Sequence, residues 1–284
     1  MRHAFLIIAH NEFVVLQNLI DTLDNVDNDI YVHIDKKVKN IPILITKYSK
    51  LIILRNRIDV RWGNISQIKA EYELFRKAYF TDNYSYFHLI SGVHLPLVNK
   101  VSFDSFFRKI YGKTVFSKMY TDEYEINLKL RKYNFFTKFF KSKNKNIERI
   151  FQFGWLVFIK LQKILRIKIN KNRDYYKAAN WISITPNHLK VVLDEEKNIL
   201  NEFKYTLCGD EFFVPTILIR KGYKEDLLFL NNYLKCDFRQ ENPKVYTLND
   251  YEKVINSGCI FARKFSNQHV DVVKKILAHI GINK

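Results

Sequence analysis

Residues 4–9 read Ala-Phe-Leu-Ile-Ile-Ala, an unbroken apolar run that is typical of a strand buried on both faces. The spacing after it predicts a helix over 13–23, with Asn11 as its N-cap. Residues 30–35 read Ile-Tyr-Val-His-Ile-Asp and predict a second strand that ends in a carboxylate. Further strands are expected over 51–54 and 84–90, with a helix over 66–80 between them. This alternation predicts an α/β fold with a mainly parallel central sheet flanked by helices, and with ligands at the carboxyl ends of the strands.

The composition limits the classes of protein to which the chain can belong. With 47 Lys and Arg against 29 Asp and Glu the net charge is +18, which favours nucleic acid, an anionic membrane surface or a phosphorylated small molecule as partner. Three widely spaced cysteines without a Cys-x-x-Cys pair argue against a disulfide scaffold or zinc knuckle and fit a reducing cytosol. Because no signal peptide, membrane span or linker is recognisable, we expect one cytoplasmic domain over residues 1–284.

Residues 131–173 differ from the rest, because thirteen Lys and Arg and a single acid give them a net charge of +12. Eight aromatic side chains are interleaved with these cations: Phe135, Phe136, Phe139, Phe140, Phe151, Phe153, Trp155 and Phe158. The segment can be a solvated helical pair whose aromatic side packs on the core. It can equally be a helical insertion that docks the chain on the anionic inner face of the cytoplasmic membrane.

The candidate catalytic groups are the adjacent carboxylates Asp210 and Glu211, which follow a glycine and precede the apolar Phe212-Phe213-Val214. Acids in the first turn of a helix suit its dipole, so helix capping is one interpretation. A carboxylate held among these apolar side chains can instead be desolvated, which raises its pKa and makes it a useful general base.

Other charged groups are candidates for binding a ligand. Asp35, at the end of the second predicted strand, can accept hydrogen bonds from a nucleoside, or can pair with Lys36 or Lys37. Arg263 and Lys264 lie between two Phe residues and can face an anionic leaving group. The dinucleotide and P-loop glycine patterns are absent, and the one Asp-x-Asp, at 27–29, precedes the second strand and is predicted to be a turn.

Six blocks of sequence occur in an order that is characteristic of one family. They are Leu6-Ile7-Ile8-Ala9-His10-Asn11, Asn28-Asp29-Ile30-Tyr31-Val32-His33-Ile34-Asp35-Lys36-Lys37, Val60-Arg61-Trp62-Gly63 with Ser66, Tyr84-Ser85-Tyr86-Phe87-His88-Leu89-Ile90-Ser91-Gly92, Asp210-Glu211 and Phe261-Ala262-Arg263-Lys264-Phe265. In these blocks the chain resembles the core-2/I-branching enzyme family, glycosyltransferase family 14. The blocks span most of the chain outside residues 131–173.

The resemblance implies a GT-A-like, Rossmann-type nucleotide-sugar fold, an inverting mechanism, and basic side chains in place of a metal ion. It implies that Glu211 is the catalytic base, that Asp35 contacts uridine and that Ala9 lies against the base of the nucleotide. It also implies that cations bind the diphosphate of UDP, namely Lys264 and either Lys244 or Arg239. Arg263, next to Lys264, is our second choice for the same role. Of these, Lys264 matches the family pattern directly, whereas Lys244 matches only with a short gap and competes with Arg239.

The chain departs from the family pattern on the acceptor side. Relatives usually have Ser-Gly-x-Asp-x-Pro after the fourth strand, whereas residues 91–96 read Ser-Gly-Val-His-Leu-Pro, with His94 in the place of the acid. We therefore expect an altered acceptor-side pocket, to which Trp62, Asp210 and His94 are assigned. A structural hydrogen-bonding role for His94 is the alternative.

The sequence thus predicts an inverting, metal-independent glycosyltransferase without a cofactor. Its donor would be UDP-GlcNAc, UDP-xylose, UDP-galactose or UDP-galactofuranose, and its acceptor a glycan or lipid-linked saccharide in bacterial capsule or surface polysaccharide synthesis. The alternatives are a non-enzymatic, basic membrane-surface protein and a nucleic-acid-binding protein. We expect no nucleic-acid partner, because no recognition motif accompanies the positive charge.

Overall fold

Seven strands form the central sheet of the computed structural model, which describes residues 1–142, 144–239 and 242–282. In sheet order they are β3 (Lys50–Ile53), β2 (Asn28–Ile34), β1 (His3–Ala9), β4 (Tyr86–Ser91), β7 (Ala178–Ile184), β6 (Thr114–Lys118) and β8 (Leu227–Leu230). Six strands are parallel to one another, and β7 is antiparallel to both of its neighbours. The predicted α/β class with a mainly parallel sheet is confirmed.

Helices flank this sheet, and short strands form two smaller sheets. Among the described residues the helices are α1 (Phe13–Leu23), α2 (Ser66–Tyr79), α3 (Lys100–Lys109), α4 (Glu123–Lys129), α5 (Lys145–Ile164), α6 (Pro186–Asp194), α7 (Glu196–Glu202), α8 (Phe213–Arg220), α9 (Tyr251–Ile255) and α10 (Val270–His279). A three-stranded sheet contains β5 (Leu95–Pro96), β12 (Phe261–Ala262) and β9 (Leu234–Lys235), and a two-stranded sheet contains β10 (Phe238–Arg239) and β11 (Asn242–Pro243).

The predicted strands and helices of the first hundred residues all occur, with ends that differ by at most two residues. Two local predictions are wrong. The N-cap of α1 is Glu12, in a left-handed conformation with φ 55°, and not Asn11. Asn28 and Asp29 already belong to β2 and are buried, so residues 27–29 are not simply a turn.

The basic segment contains one long helix, α5, preceded by a short 3-10 turn at Thr137–Phe139. The predicted pair of helices is therefore absent from the described part of the segment, and Lys143 lies outside the described residues. We find no described helix that is both long enough and apolar enough to cross a lipid bilayer.

The direction of β7 determines what meets at the carboxyl edge of the sheet. Because β7 is antiparallel to β4, its first residues lie beside the last residues of β4, with Ile182 opposite Leu89. Side chains at the start of β7 therefore share one edge with the ends of β1, β2 and β4. This edge holds most of the residues that the sequence singles out.

Candidate functional site

The carboxyl ends of β1, β2 and β4 lie side by side. The backbone N–H of Asp35 donates to the carbonyl of Ala9, and that of Gly92 donates to the carbonyl of Ile8, both at 2.9 Å. A Cβ atom on Gly92 would lie only 2.9 Å from the Cβ of Ala9. Glycine is therefore required for the chain after β4 to pass so close to the end of β1.

The carboxylate of Asp35 is buried and already paired. It accepts hydrogen bonds from the backbone N–H of Lys37 at 2.8 Å and from the ammonium of the same residue at 2.6 Å. That ammonium also binds Asp59 at 2.9 Å. The pairing with a neighbouring lysine is confirmed, contact with uridine stays a prediction, and a nucleoside would share this carboxylate with Lys37.

The C-terminal segment returns to the same edge because Glu12 holds it there. The carboxylate of Glu12 accepts hydrogen bonds from the hydroxyl of Ser266 at 3.1 Å and from the backbone N–H of Asn267. Lys264 thereby comes close enough to His10 to influence its pKa. Burial lowers the pKa of His10 most strongly, Asp35 opposes this effect, and Lys264 adds to it.

Two of the predicted diphosphate-binding cations lie on neighbouring segments. The backbone N–H of Lys264 donates to the carbonyl of Lys244 at 3.4 Å. The ammonium of Lys244 is bound to Asp250, a contact that the sequence analysis missed. Within residues 1–142, 144–239 and 242–282, the ammonium of Lys264 has neither a hydrogen-bonding partner nor an ionic one. Arg239 is exposed on β10, beside the undescribed residues 240 and 241.

Glu211 ends a 3-10 turn, Gly209–Glu211, that precedes α8. Because α8 begins at Phe213, neither Asp210 nor Glu211 lies in its first turn, and the capping interpretation is wrong. A Cβ atom on Gly209 would lie 2.7 Å from Phe203, so the turn packs too closely for a larger residue. The turn also contacts β7, and the carboxylate of Glu211 lies near Lys177, just before that strand.

Two lysines hold the carboxylate of Glu211. Its Oε2 lies 3.5 Å from the ammonium of Lys177 and 3.6 Å from that of Lys129. The same lysines bind Glu125 at 2.6 and 2.7 Å. Burial would raise the pKa of Glu125, but the hydrogen bonds from both lysines outweigh it and lower that pKa to about 2. The Glu211 side chain is 25% exposed, so a substrate can reach it.

Asp210 and Glu71 are interacting carboxyl groups, of which Glu71 is fully buried and Asp210 partly buried. Burial, with the nearby charge of Glu211, raises the pKa of Asp210 to about 7. Burial and Asp210 raise the pKa of Glu71 well above its usual value. Glu71 lies on α2 and accepts hydrogen bonds from Gln67 at 3.1 Å and Asn180 at 3.5 Å. The desolvated carboxyl that the sequence predicts near residue 211 is therefore Asp210.

Glu71 is a site residue that the sequence analysis missed. Its burial could nevertheless have been predicted from helical spacing, because Glu71 lies three residues after Ile68 and four before Phe75 on the buried face of α2. An acid at such a position is uncommon unless it has partners or a changed protonation state.

His94 is completely buried and belongs to a second cluster at the same edge. Its Nδ1 accepts a hydrogen bond from the backbone N–H of Ser91 at 3.0 Å, which agrees with a structural role. Its ring lies 5.1 Å from that of Trp181, and the guanidinium carbon of Arg263 lies 5.0 Å from the same indole. Trp62 is half-exposed on the loop before α2, against Phe140.

Strand β7 connects these groups. Lys177, just before the strand, contacts Glu211, while Asn180 contacts Glu71 and Trp181 contacts both His94 and Arg263. The structure thus brings most of the predicted residues to one edge, whereas Trp62 and Arg239 lie on more exposed loops and strands at its periphery. In the described ranges, no three His, Cys, Asp or Glu side chains converge as they would around a metal ion.

Comparisons with known proteins identify the family. The family model described as Core-2/I-Branching enzyme matches residues 3–253. No curated protein matches the chain significantly. Among solved structures, mouse xyloside xylosyltransferase 1 in its apo form aligns with a TM-score of 0.40 and 7% identity, over 92% of this chain and 96% of that one. That similarity is too distant to support an argument, but the family model covers most of the sequence. The chain therefore belongs to the Core-2/I-Branching enzyme family and is a glycosyltransferase.

Proposed function

We propose that the chain moves a sugar from a UDP-sugar to a hydroxyl group of a glycan acceptor, in an inverting and metal-independent displacement. Candidate sugars are GlcNAc, xylose, galactose and galactofuranose, and candidate acceptors are glycans and lipid-linked saccharides. Membership of the family supports transfer of a sugar from a nucleotide donor to a glycan. The choice of UDP, the mechanism and the roles of individual residues are parts of the proposal.

One observation carries this proposal, namely the order of groups along the carboxyl edge of the sheet. Asp35 and Ala9 close β2 and β1, Lys264 lies near His10, and Glu211 lies beyond the start of β7. A nucleotide-sugar laid along this edge would place uridine at Asp35 and its diphosphate at Lys264. The sugar would then lie near β4 and β7, with its reactive carbon toward Glu211.

The proposed chemistry is a single displacement. The acceptor oxygen bonds to the anomeric carbon as the bond from that carbon to the β-phosphate oxygen breaks, and UDP leaves with the bonding electrons. Glu211 takes the proton of the acceptor hydroxyl. Fixed cations would stabilise the charge that collects on UDP. Lys264 is the first choice, whereas Lys244 must give up or share its contact with Asp250.

A panel of UDP-sugars tests this function directly. Thermal shift with uridine, UDP and each UDP-sugar, in excess EDTA, should show stabilisation by the donor, because a ligand that binds only the folded state raises the melting temperature. GDP-mannose and CMP-sialic acid serve as controls for the nucleotide. Stabilisation by these controls, with none by any UDP-sugar, would contradict the proposed donor class.

We also propose that the protein acts at the inner face of a bacterial cytoplasmic membrane. Lipid-linked saccharides of capsule or surface polysaccharide synthesis would be accessible there. The support comes from α5. One face of this helix packs against the segment that precedes it in the chain. Trp155 donates to Asn134 at 2.8 Å, and the ring of Phe151 lies 4.6 Å from that of Phe139. For these aromatic residues, the interpretation as packing residues is correct.

The outer face of α5 is also apolar, and it is exposed. Phe153 is 69% exposed and Ile164 is 77% exposed, and they lie in a stripe at helical spacing with Ile150, Val157 and Leu161. A helix that is apolar on all sides is normally buried, and an exposed apolar stripe of this length usually marks an interaction surface. Exposed cations flank the stripe: Arg149, Lys160, Lys163 and Arg166. Apolar residues bordered by cations are the pattern of a helix that lies in the interface of an anionic bilayer.

A further inference from the structure

Two buried hydrogen-bond donors lie on paired segments beside Trp181. Strands β5 and β12 are antiparallel, with Ala262 opposite Leu95, so the next residues outward are Arg263 and His94. The backbone contact from Phe265 to Val93, at 3.2 Å, shows that the two segments stay close beyond the strands. Both side chains lie against the indole of Trp181.

Neither donor has an acceptor among the described residues. The Nδ1 of His94 accepts from the backbone N–H of Ser91, so in the neutral ring the proton is on Nε2. Burial, reinforced by the charge of Arg263, lowers the pKa of His94 and keeps the ring neutral. In the part of the chain that the structure describes, His94 Nε2 and Arg263 Nε are both buried without a hydrogen-bonding partner.

Arg263 also has no counterion in these ranges, and its guanidinium forms no ion pair among the described residues. Burial lowers its pKa, and the one neighbouring group that acts in the opposite direction is the thiol of Cys236. Burial raises the pKa of that thiol, so it stays protonated and cannot balance the charge. Two buried N–H groups without acceptors, one of them on a cation, are costly, and the cost is removed by an anionic oxygen that accepts from both.

We infer that His94 Nε2 and the Arg263 guanidinium, with Trp181 behind them, form a subsite for an anionic oxygen of the donor. This inference rests on the proposed function and specifies its donor. Arg263 directly precedes Lys264 in the chain, and Trp181 lies on β7, four residues after Lys177, which contacts Glu211. A donor that reached from Lys264 to Glu211 would pass this subsite. The anionic oxygen can belong to that phosphate or to a carboxylate on the sugar, as in a UDP-uronic acid.

Substitutions that change only the charge balance of the subsite test the inference. In His94→Asp the new carboxylate would accept from Arg263 and replace the ligand's oxygen. In Arg263→Gln the charge is removed. His94→Gln is the matched control, because its side-chain amide still donates a hydrogen bond. Far-UV circular dichroism and thermal melting verify that each variant is folded. If His94→Asp does not fold, Arg263→Gln still tests the inference.

Calorimetric titration with uridine, UMP, UDP, UDP-glucose and UDP-glucuronic acid distinguishes the two sources of the oxygen. If the phosphate occupies the subsite, His94→Asp and Arg263→Gln lose about tenfold or more in affinity for UDP and almost none for uridine. If a sugar carboxylate occupies it, UDP binding is unchanged, and the preference of the wild type for UDP-glucuronic acid over UDP-glucose disappears. Unchanged affinities for every ligand in both variants would overturn the inference.

A separate measurement distinguishes failure of the proposed function from failure of the inferred subsite. If the wild type binds no uridine nucleotide, that function is refuted, and inorganic phosphate then tests the subsite alone. Millimolar phosphate should raise the melting temperature of the wild type and His94→Gln but not that of His94→Asp or Arg263→Gln. An equal effect on all four proteins would rule out an anion subsite at this position.

Discussion

The carboxylate of Glu211 lies 3.5 Å from the ammonium of Lys177, and that ammonium is hydrogen-bonded to Glu125 at 2.6 Å. Lys129 makes the same two contacts from the other side. The side chain of Glu211 is thus held between two fixed cations while part of it stays open to solvent. A general base needs this combination of fixed position and access.

Glu211→Gln should abolish transfer and leave UDP affinity nearly intact, because the proposed base acts on the acceptor hydroxyl and not on the nucleotide. A positioned base contributes about 10²- to 10⁴-fold, so the barrier should rise by about 3–5 kcal/mol. Initial rates with saturating donor, together with UDP titration, provide the measurement. Asp210→Asn is the matched control. If Asp210→Asn is inactive and Glu211→Gln is active, the assignment of the base is wrong.

Asp210 should make the stability of the protein depend on pH. Its pKa is raised to about 7 in the folded state, against an ordinary value of about 3.9 in the unfolded chain. Between these values the folded state binds more protons than the unfolded state, so the free energy of unfolding falls as the pH rises from about 4 to 7. Asp210→Asn removes this contribution.

Melting temperatures of the wild type and Asp210→Asn at several pH values check this prediction. The variant should gain stability relative to the wild type as the pH increases from about 4 to 7, whereas below pH 4 the difference should be constant. Glu211→Gln should shift the window for Asp210 to lower pH, because the charge of Glu211 contributes to the raised pKa of Asp210. A difference that does not vary with pH would show that Asp210 titrates normally.

The first hundred residues were predictable from sequence because their signals are local. Apolar runs and helical spacing depend on neighbours within a few residues, and the strands and helices appear where these patterns place them. The antiparallel direction of β7 is a long-range property that no local pattern encodes. It determines that Lys177, Asn180 and Trp181 share an edge with Asp35, and none of these three residues was predicted.

The site was only partly predictable for a similar reason. The Asp210-Glu211 pair could be found as adjacent acids before an apolar stretch, but which of them is desolvated depends on burial in the folded chain, which no local pattern encodes. The contact of Lys244 with Asp250 arises from the loop between β11 and α9, and the sequence does not reveal it. The buried position of His94 depends on the pairing of β5 with β12.

Lys264→Ala should weaken UDP binding by about ten- to a hundredfold and leave uridine binding almost unchanged, because only the diphosphate needs the charge. Lys244→Ala is an informative comparison. Since Lys244 is already bound to Asp250, its removal should weaken UDP binding less and should also lower the melting temperature. Equal losses for UDP and uridine in Lys264→Ala would exclude Lys264 from the phosphate site.

Transfer should persist in excess EDTA, because fixed cations are proposed to stabilise the leaving diphosphate. Rates measured after dialysis against EDTA, with and without added Mg²⁺ or Mn²⁺, check this prediction. The control is a metal-dependent glycosyltransferase treated in the same way, which should lose its activity. An inactive dialysed enzyme whose activity returns with Mn²⁺ alone would contradict metal independence.

The exposed stripe of α5 should bind anionic bilayers. Co-sedimentation with phosphatidylglycerol-containing vesicles should exceed that with neutral vesicles and should fall at high salt, because each engaged Lys or Arg contributes about 1 kcal/mol. Lys138→Gln, Lys141→Gln, Lys143→Gln and Lys145→Gln together should weaken binding to anionic vesicles. Phe153→Gln, Val157→Gln and Leu161→Gln should weaken it further, because they remove the apolar surface that would enter the interface.

The control for the stripe is a pair of even more exposed apolar residues elsewhere. Val26 is 74% exposed and Ile43 is 92% exposed, on loops outside the basic segment. Val26→Gln and Ile43→Gln should leave vesicle binding unchanged, since removing isolated exposed apolar residues does not remove a membrane-binding surface. Equal loss in the control and stripe variants would indicate non-specific adsorption. Equal sedimentation with neutral and anionic vesicles would contradict the prediction. It would show that the cations of α5 have no role in membrane binding and that the helix only packs against the rest of the chain.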